Sequence, residues 1–355
     1  MKATRDAAGP ATGAPRPRDA RVRLAPPREP RIAVVIPGYR AADTVAEVIA
    51  AIPPLVWRVY VVDDGCPQGT GDRAEGVDDR VRVLRNPRNL GVGGATKRGY
   101  AEALRDGADV VVKLDADGQM DPAFIPRLVA PLLAGRADYA KGNRFAPLHR
   151  TPRGAPPAES RPMPPVRRLG NNVLSFLHKG VTGYWGIVDP TNGYTAIHRA
   201  ALESIDPARV ADCYFFETDI LFHLNLADAV VHDVPLPARY SGEVSSLSVR
   251  RFLVRFPLLA ASRFLRRVGV KYFLQDFNVA SLQLLLGLPL VLAGACFGFY
   301  RWMAALESGV ANTAGTVMFA ALPIILGFQL LLSALTYDVM HTPRVPLSAR
   351  GEDGG

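Results

Sequence analysis

Short apolar runs alternate with stretches of helical spacing through the first half of the chain, starting at Arg31. Runs at 32–36, 57–62, 81–84 and 110–114 are rich in β-branched residues and end at Pro, Gly or Asp, which predicts buried strands. Apolar spacing at 44–52 and 93–104 predicts helices between them. This alternation is typical of a doubly wound, mixed but mostly parallel α/β sheet.

The pattern is less regular after residue 140. Prolines interleaved with arginines at 147–168 predict a loop, which we interpret as a flap on the acceptor side, with a disordered segment as the alternative. Helical spacing returns at 169–179 and 215–226, a turn is predicted at 189–194, and an apolar run at 230–234 predicts another strand.

Two long uncharged intervals follow, between Asp276 and Arg301 and between Glu307 and Asp338. Each is long enough to cross a bilayer as a helix, with a pair of buried soluble helices as the alternative. Basic residues precede the first interval and follow the second, which predicts that both termini and the α/β domain are cytosolic. Arginines mixed with phenylalanine and leucine at 250–275 predict an amphipathic segment in the membrane interface, although a soluble amphipathic helix has the same pattern.

These patterns divide the chain into five parts: a disordered basic tail at 1–30, the α/β domain at 31–249, the interface segment at 250–275, two transmembrane helices at 276–340 and a cytosolic tail at 341–355. The net charge is +9, and arginines cluster in the N-terminal tail, at 144–168 and at 250–271. The last cluster precedes a long apolar segment, which favours a membrane surface over nucleic acid as the partner. The three cysteines are far apart and predict neither disulfides nor a zinc site.

Two carboxylates follow the fourth predicted strand, at Asp115 and Asp117. A strand of an open α/β sheet delivers such residues to the edge where ligands bind. Carboxylate oxygens at that edge can hold Mg²⁺ or Mn²⁺ together with a diphosphate. The alternative is that both residues cap a helix that begins near Asp121-Pro122.

Three more elements are predicted to face the same cleft: the end of the first strand at 35–39, the end of the second strand at 61–65 and the glycine-rich helix start at 89–95. Asp63 or Asp64, after the second strand, can accept a hydrogen bond from the imide of a uracil or guanine base, or can belong to a plain turn. Backbone amides of the glycine-rich helix start around Gly93 can meet phosphate, and Lys97 or Arg98 can add charge. Thr96 occupies the third glycine position of the dinucleotide motif, which disfavours a Rossmann dehydrogenase.

Together these motifs resemble the family 2 glycosyltransferases with the GT-A fold. The resemblance covers residues 31–240 and is strongest to the polyprenyl-phosphate glycosyltransferases, the group of dolichyl-phosphate mannose synthase and the GtrB-like enzymes. The paired C-terminal helices extend it. The motifs that carry it are Ile-Pro-x-Tyr at 36–39, Val-Asp-Asp-Gly at 62–65, Asn-Leu-Gly-Val-Gly-Gly at 89–94, Asp-x-Asp-Gly-Gln at 115–119 and Lys-Gly-Asn-Arg-Phe at 141–145.

The resemblance implies roles for individual residues. The base pocket is implied at Pro37, Tyr39, Asp63 and Asp64; the metal and diphosphate site at Asp115, Asp117 and Gln119; phosphate contacts at Arg144 and Arg239; and the acceptor side at Glu217 and Asp219. Since Glu217 and Asp219 are two residues apart on a predicted helix, at most one is expected to point into the cleft. Two departures, Arg40-Ala41 in place of an acidic residue and Cys66 in place of serine, affect the base pocket.

The implied activity is Mg²⁺- or Mn²⁺-dependent, inverting transfer of one sugar from a UDP- or GDP-sugar to a polyprenyl phosphate at the cytosolic face of the inner membrane. The Gln-x-x-Arg-Trp signature of processive synthases is absent, which favours a single transfer. Alternatives are another membrane lipid or lipid-linked glycan as acceptor, or a catalytically silent, membrane-tethered nucleotide-sugar-binding module. The sugar and the nucleotide stay open, and a homo-oligomer is one alternative for the assembly.

Overall fold

A seven-stranded sheet forms the centre of the α/β domain. The computed structural model describes residues 29–145, 165–237 and 249–350, with side chains described from Val173 and Arg255 onward in the last two ranges. The strand order is β3-β2-β1-β4-β6-β5-β7, and β6 alone runs antiparallel to its neighbours. The strands are β1 Ile32–Gly38, β2 Val56–Asp63, β3 Val81–Arg85, β4 Val110–Lys113, β5 Tyr139–Asn143, β6 Thr195–His198 and β7 Val231–Pro235.

Helices cover both faces of this sheet and continue past it. They are α1 Val45–Ala50, α2 Thr70–Ala74, α3 Gly91–Arg105, α4 Ile125–Leu133, α5 Pro165–Thr182, α6 Arg199–Glu203, α7 Phe216–Leu226, α8 Val249–Gly269, α9 Val279–Ser308, α10 Ala314–Met340 and α11 Leu347–Arg350. The predicted class, a mixed and mostly parallel sheet between helices, is confirmed.

The alternation of side chains along each strand builds two cores. Val34 and Ile36 of β1 pack on one face with α1 and α4, whereas Val35 packs on the other face with α3 and α7. Because both faces are covered, the central strands are apolar on both sides, which is why they appear in the sequence as continuous apolar runs. The carboxyl ends of β1, β2 and β4 meet at one edge, since these strands are parallel.

Four elements of the α/β domain were not predicted: β5, β6, α2 and α6. The helix considered near Asp121-Pro122 is present as a short 3₁₀ helix, Pro122–Phe124, followed by α4. The predicted loop at 147–168 is wrong at its end, because α5 already begins at Pro165, where proline is compatible with the first turn of a helix. The rest of that loop lies outside the described residues.

Two helices near the C-terminus, α9 and α10, are long and apolar enough to cross a membrane. Only 22% and 11% of their most apolar windows are buried, which contradicts the alternative of two buried soluble helices. The helices approach closely at a glycine pair, where a Cβ added to Gly327 would lie 2.7 Å from the Gly287 carbonyl oxygen. Small residues at such a crossing are typical of helix pairs in membranes.

Candidate active site

A pocket of about 510 Å³ opens at the carboxyl edge of β1, β2 and β4. The structure brings five of the predicted site residues to this pocket: Pro37, Tyr39, Asp64, Asp115 and Asp117. They come from three different strand ends, and the parallel sheet places these ends side by side. The position agrees with the general location of ligands in open α/β sheets.

A buried lysine at the end of β4 pairs with Asp115 and Glu217. Lys113, the last residue of β4, is 1% exposed, and its Nζ donates to Asp115 Oδ1 at 2.7 Å and lies 3.3 Å from Glu217 Oε1. Burial lowers the pKa of Lys113, but Asp115 and Glu217 outweigh that effect and raise the pKa above its ordinary value. A Cβ on Gly193 would lie 2.7 Å from Lys113 Nζ and 2.8 Å from Asp115 Oδ2, so the backbone there must be glycine for this cluster to form.

The Asp-x-Asp-Gly-Gln motif at 115–119 does not cap the following helix. Asp121 performs that role, since its Oδ1 accepts from the amide of Ala123 at 3.0 Å before the short 3₁₀ helix Pro122–Phe124. Asp117 accepts from the amide of Gln119 at 3.0 Å, which closes the turn around Gly118. Asp115 and Asp117 line the pocket, and Gln119 belongs to the turn that Asp117 closes.

The two aspartates after β2 have different environments. Asp63 accepts from the amides of Cys66 and Gly71, both at 2.7 Å, and so braces the turn between β2 and α2. Asp64 lines the pocket, but its oxygens accept from the amides of Leu90 and Gly91, both at 2.9 Å. Its carboxylate thereby fixes the start of α3 against the pocket.

The glycine-rich helix start lines the pocket through Asn89, Gly91, Val92 and Ala95, but the amides of Gly93 and Gly94 are directed at protein. The amides of Gly93 and Gly94 donate to the Asp212 carbonyl at 2.9 and 3.3 Å, and a Cβ on Gly93 would lie 2.4 Å from the Ala211 carbonyl oxygen. Lys97 Nζ donates to the Val210 carbonyl at 2.7 Å and pairs with Asp212. The structure therefore places the predicted residues Gly93 and Lys97 against segment 210–212.

The β5 motif is anchored to the turn at 189–194. Arg144 holds the fully buried Asp189 in a bidentate contact, with Nε–Oδ2 at 2.7 Å and Nη2–Oδ1 at 3.1 Å. Lys141, also fully buried, donates from Nζ to the Asn192 carbonyl. Burial lowers the pKa of Lys141 to about 8, although Glu217 acts in the opposite direction. Sequence reasoning missed both buried lysines as site residues; a lysine inside an apolar strand is the signal that would find Lys113.

The two acidic residues of α7 face different partners. Glu217 is beside Lys113, with 14% of its side chain exposed. Asp219 is fully buried; it accepts from the Ala211 amide at 2.8 Å and from Arg263 Nε at 2.5 Å and Nη2 at 3.1 Å. Arg239 lies outside the described residues.

Comparison with known proteins identifies the family of this chain. A family model described as glycosyl transferase family 2 matches residues 33–206. The polyprenol monophosphomannose synthase of Mycolicibacterium smegmatis is 32% identical over 214 residues, which cover 58% of this chain and 76% of that protein. The fold and the strand-edge pocket define an α/β protein with a candidate ligand site at the carboxyl edge of its sheet. The chain belongs to glycosyl transferase family 2 and is a glycosyltransferase.

Two further similarities have lower identity. The UDP-N-acetylglucosamine–dolichyl-phosphate N-acetylglucosaminyltransferase of Methanococcus voltae is 25% identical, over 59% of this chain and 86% of that protein. Among solved structures, glucosyl-3-phosphoglycerate synthase from Mycobacterium tuberculosis is 24% identical with a TM-score of 0.48, over 68% of this chain and 80% of that chain. That structure holds Mn²⁺, UDP-glucose and phosphoglyceric acid.

Proposed function

We propose that this glycosyltransferase moves one sugar from a nucleotide sugar to a polyprenyl phosphate at the cytosolic face of a membrane, with the help of Mg²⁺ or Mn²⁺. The observation that carries the proposal is the cluster of Asp115, Asp117, Lys113 and Glu217 at the sheet edge of a chain that ends in two apolar helices.

The acidic residues at the pocket fit a hard divalent cation. No group of three or more His, Cys, Asp or Glu side chains that could hold a metal is found in residues 29–145, 165–237 and 249–350. We assign Asp115 and Asp117 as its protein ligands, with Gln119 on the same turn. Mg²⁺ in phosphate-binding enzymes is commonly held by one or two carboxylates, with substrate phosphates and water as the other ligands. Such an ion would neutralise the charge that develops on the departing nucleoside diphosphate.

We assign the side chains around the pocket to binding of the base, the metal ion and the phosphates. Tyr39, which is 43% exposed at the pocket wall, offers a face on which a base can stack, beside Pro37. Lys113 binds Asp115 Oδ1, which leaves the other carboxylate oxygen as the one that we assign to the metal ion. Arg144, held by Asp189, is the phosphate-binding guanidinium that we assign among the described residues, with Arg239 as its proposed companion.

On the acceptor side we assign Glu217 rather than Asp219, because Asp219 is fully buried and paired with Arg263. A phosphate acceptor is already anionic near neutral pH, so Glu217 has only to orient it and a strong base is unnecessary. The relatives from Mycolicibacterium smegmatis and Methanococcus voltae differ in the sugar that they are named for, yet both are named for a polyprenol or dolichyl phosphate acceptor. That shared acceptor class supports the polyprenyl phosphate.

The test is transfer of labelled sugar by the purified full-length protein in lipid nanodiscs. A panel of UDP- and GDP-sugars is offered with polyprenyl phosphate, with diacylglycerol or with a lipid-linked glycan. We expect transfer to polyprenyl phosphate alone, its loss in EDTA, and its recovery with Mn²⁺ or Mg²⁺. Asp117→Asn should lower turnover by about 100-fold or more, as expected for loss of a metal ligand at the reacting diphosphate.

Two results would contradict the proposal. Transfer to diacylglycerol or to the glycan, with none to polyprenyl phosphate, would assign the other acceptor. Full turnover in EDTA and in the Asp117→Asn variant would remove the metal from the reaction. Thermal stabilisation by each nucleotide, measured with and without Mn²⁺, identifies the base independently of the acceptor.

A further inference from the structure

Two arginines of α8 bind two different helices. Arg263 forms a bidentate pair with Asp219 of α7, and Arg267 forms one with Asp338 near the end of α10, at 2.7 Å (Nη1–Oδ1) and 2.9 Å (Nη2–Oδ2). Residues four apart lie on the same face of a helix. One face of α8 therefore connects a helix of the candidate active site to the second apolar helix.

The Asp338 end of this connection is enclosed by donors. Besides the guanidinium of Arg267, the carboxylate accepts from the Tyr272 hydroxyl and from Trp185 Nε1, the latter at 2.8 Å. Arg267 is 2% exposed and also donates to the Gly180 carbonyl at 2.8 Å. A carboxylate that accepts four hydrogen bonds from three side chains has one orientation, so the end of α10 is fixed relative to α5 and α8.

The Asp219 end reaches the pocket. Asp219 lies two residues after Glu217 on α7, is fully buried, and accepts from the Ala211 amide at 2.8 Å. The next carbonyl, that of Asp212, accepts from the amide of Gly93 at 2.9 Å, at the start of α3. The contacts of Arg263 are therefore continuous with both the acceptor-side helix and the segment on which the donor pocket rests.

We propose that Arg263, Arg267, Asp219 and Asp338, which we call the arginine bridge, are positioning residues that hold the catalytic domain in a fixed pose on the second membrane helix. The inference rests on the proposed function, because it assumes an acceptor phosphate that arrives at the membrane surface. Glu217 and the donor must meet that phosphate at a set height above the bilayer. None of the four residues is required to touch the substrate.

The chemistry of the contacts favours an orienting role. Buried ion pairs contribute little net stability, because desolvation offsets much of the attraction between the charges. A planar guanidinium that binds a carboxylate at two points nevertheless restricts direction as well as distance. Apolar packing of equal area would hold the helices together with less control of their angle. The arginine bridge should therefore affect the two kinds of acceptor differently. Transfer to an acceptor held in the membrane should depend on the bridge, and transfer to an acceptor free in water should not.

The experiment compares Arg267→Met with Arg266→Met, a matched change at the exposed neighbouring arginine of the same helix. Proteins in nanodiscs receive a long-chain polyprenyl phosphate in the bilayer or a short, water-soluble isoprenyl phosphate. For Arg267→Met we expect kcat/KM to fall by at least tenfold with the membrane acceptor and by less than threefold with the soluble one, with unchanged nucleotide affinity. Arg266→Met should change none of these, and Arg267→Lys should recover part of the loss.

A second measurement detects the pose itself. Hydrogen exchange should become faster at the end of α10 in Arg267→Met, because Asp338 loses its guanidinium partner, but not in Arg266→Met. The increase should be smaller in α7, whose Arg263–Asp219 contact remains. If Arg267→Met does not insert or fold, Trp185→Phe, which removes one donor to Asp338, should give a smaller change in the same direction on both readouts.

Equal losses with the two acceptors, or no loss with either, would overturn the bridge as a positioning device. If the wild-type protein transfers sugar to neither phosphate, the proposed function fails instead, and the exchange measurement alone then decides the bridge: unchanged exchange in both helices would refute it.

Discussion

Replacement of Lys113 by methionine tests the charge cluster beneath the pocket. Methionine keeps most of the side-chain volume but leaves Asp115 and Glu217 without their shared cation. Removal of one partner from a buried pair costs about 3–5 kcal/mol. The Asp115 side chain is 30% exposed, so water partly screens its charge. Most of the cost therefore comes from Glu217, whose side chain is only 14% exposed. We therefore expect a loss of about 3 kcal/mol in the free energy of unfolding.

The same change should weaken binding of the donor. Without Lys113, Asp115 loses the 2.7 Å hydrogen bond that fixes one of its oxygens. We expect Mn²⁺-dependent affinity for the nucleotide to fall by about tenfold, which corresponds to about 1.4 kcal/mol. Titration calorimetry with UDP and GDP, with and without Mn²⁺, measures this effect, and denaturant unfolding in detergent followed by circular dichroism measures the stability.

The difference in unfolding free energy between the wild type and Lys113→Met should decrease at high pH. The folded pKa of Lys113 is raised, so its contribution is complete below the ordinary lysine pKa of about 10.4 and declines as pH rises toward the folded value. The gap between the wild type and Lys113→Met should therefore be constant from pH 7 to 9. Above about pH 10.4 it should narrow by up to about 1.4 kcal/mol per pH unit.

Lys179→Met, at a partly exposed position on α5, is the matched control for the lost charge and should change neither stability nor affinity appreciably. The reasoning is refuted if Lys113→Met unfolds at the wild-type denaturant concentration and binds the nucleotide with the wild-type Mn²⁺ dependence. A gap that widens above pH 10.4 would also contradict it, because the sign of the linkage would then be reversed.

Three further changes test the packing around the site and the pH response. Gly193→Ala should displace the Lys113–Asp115 cluster and weaken Mn²⁺-dependent nucleotide binding, whereas Gly186→Ala in the same loop, where a Cβ meets nothing within 4 Å, should not; calorimetry distinguishes them. Gly99→Ala should cost about 1–3 kcal/mol of unfolding free energy, because its Cβ would lie 2.3 Å from Val35 Cγ1, and an unchanged denaturation midpoint would contradict this. Burial lowers the pKa of His178 to about 4, so the wild type should lose stability as pH falls from 6.5 toward 4, by up to about 1.4 kcal/mol per pH unit. Denaturation curves of His178→Gln should lack this part of the dependence of unfolding free energy on pH.

Local patterns were sufficient for the elements whose environment is uniform. Strands β1, β2 and β4 are apolar on both faces because helices cover both sides of the sheet. Their burial can therefore be predicted from the sequence alone. The carboxylates of Asp115 and Asp117 follow such a strand directly, and a parallel strand has only one edge to which they can go. The helices α9 and α10 could be predicted for a similar reason, since each contains an uninterrupted uncharged interval that is long enough to cross a bilayer.

Contacts between distant segments decided the rest. Strand β5 contains a buried lysine, a glycine and an asparagine, a composition that does not predict a strand until Asn192 supplies the partner for Lys141. Both Asp219 and Glu217 are acidic residues of one helix, and the sequence does not distinguish their roles. Arg263, which lies 44 positions after Asp219, pairs with it and makes it a buried contact. Glu217 instead pairs with Lys113 beside the pocket. The amino-acid order thus determined which segments are buried and where the carboxylates emerge. Only the tertiary structure determined which charges become partners, because the cost of burying a charge depends on groups that the chain brings together from far apart.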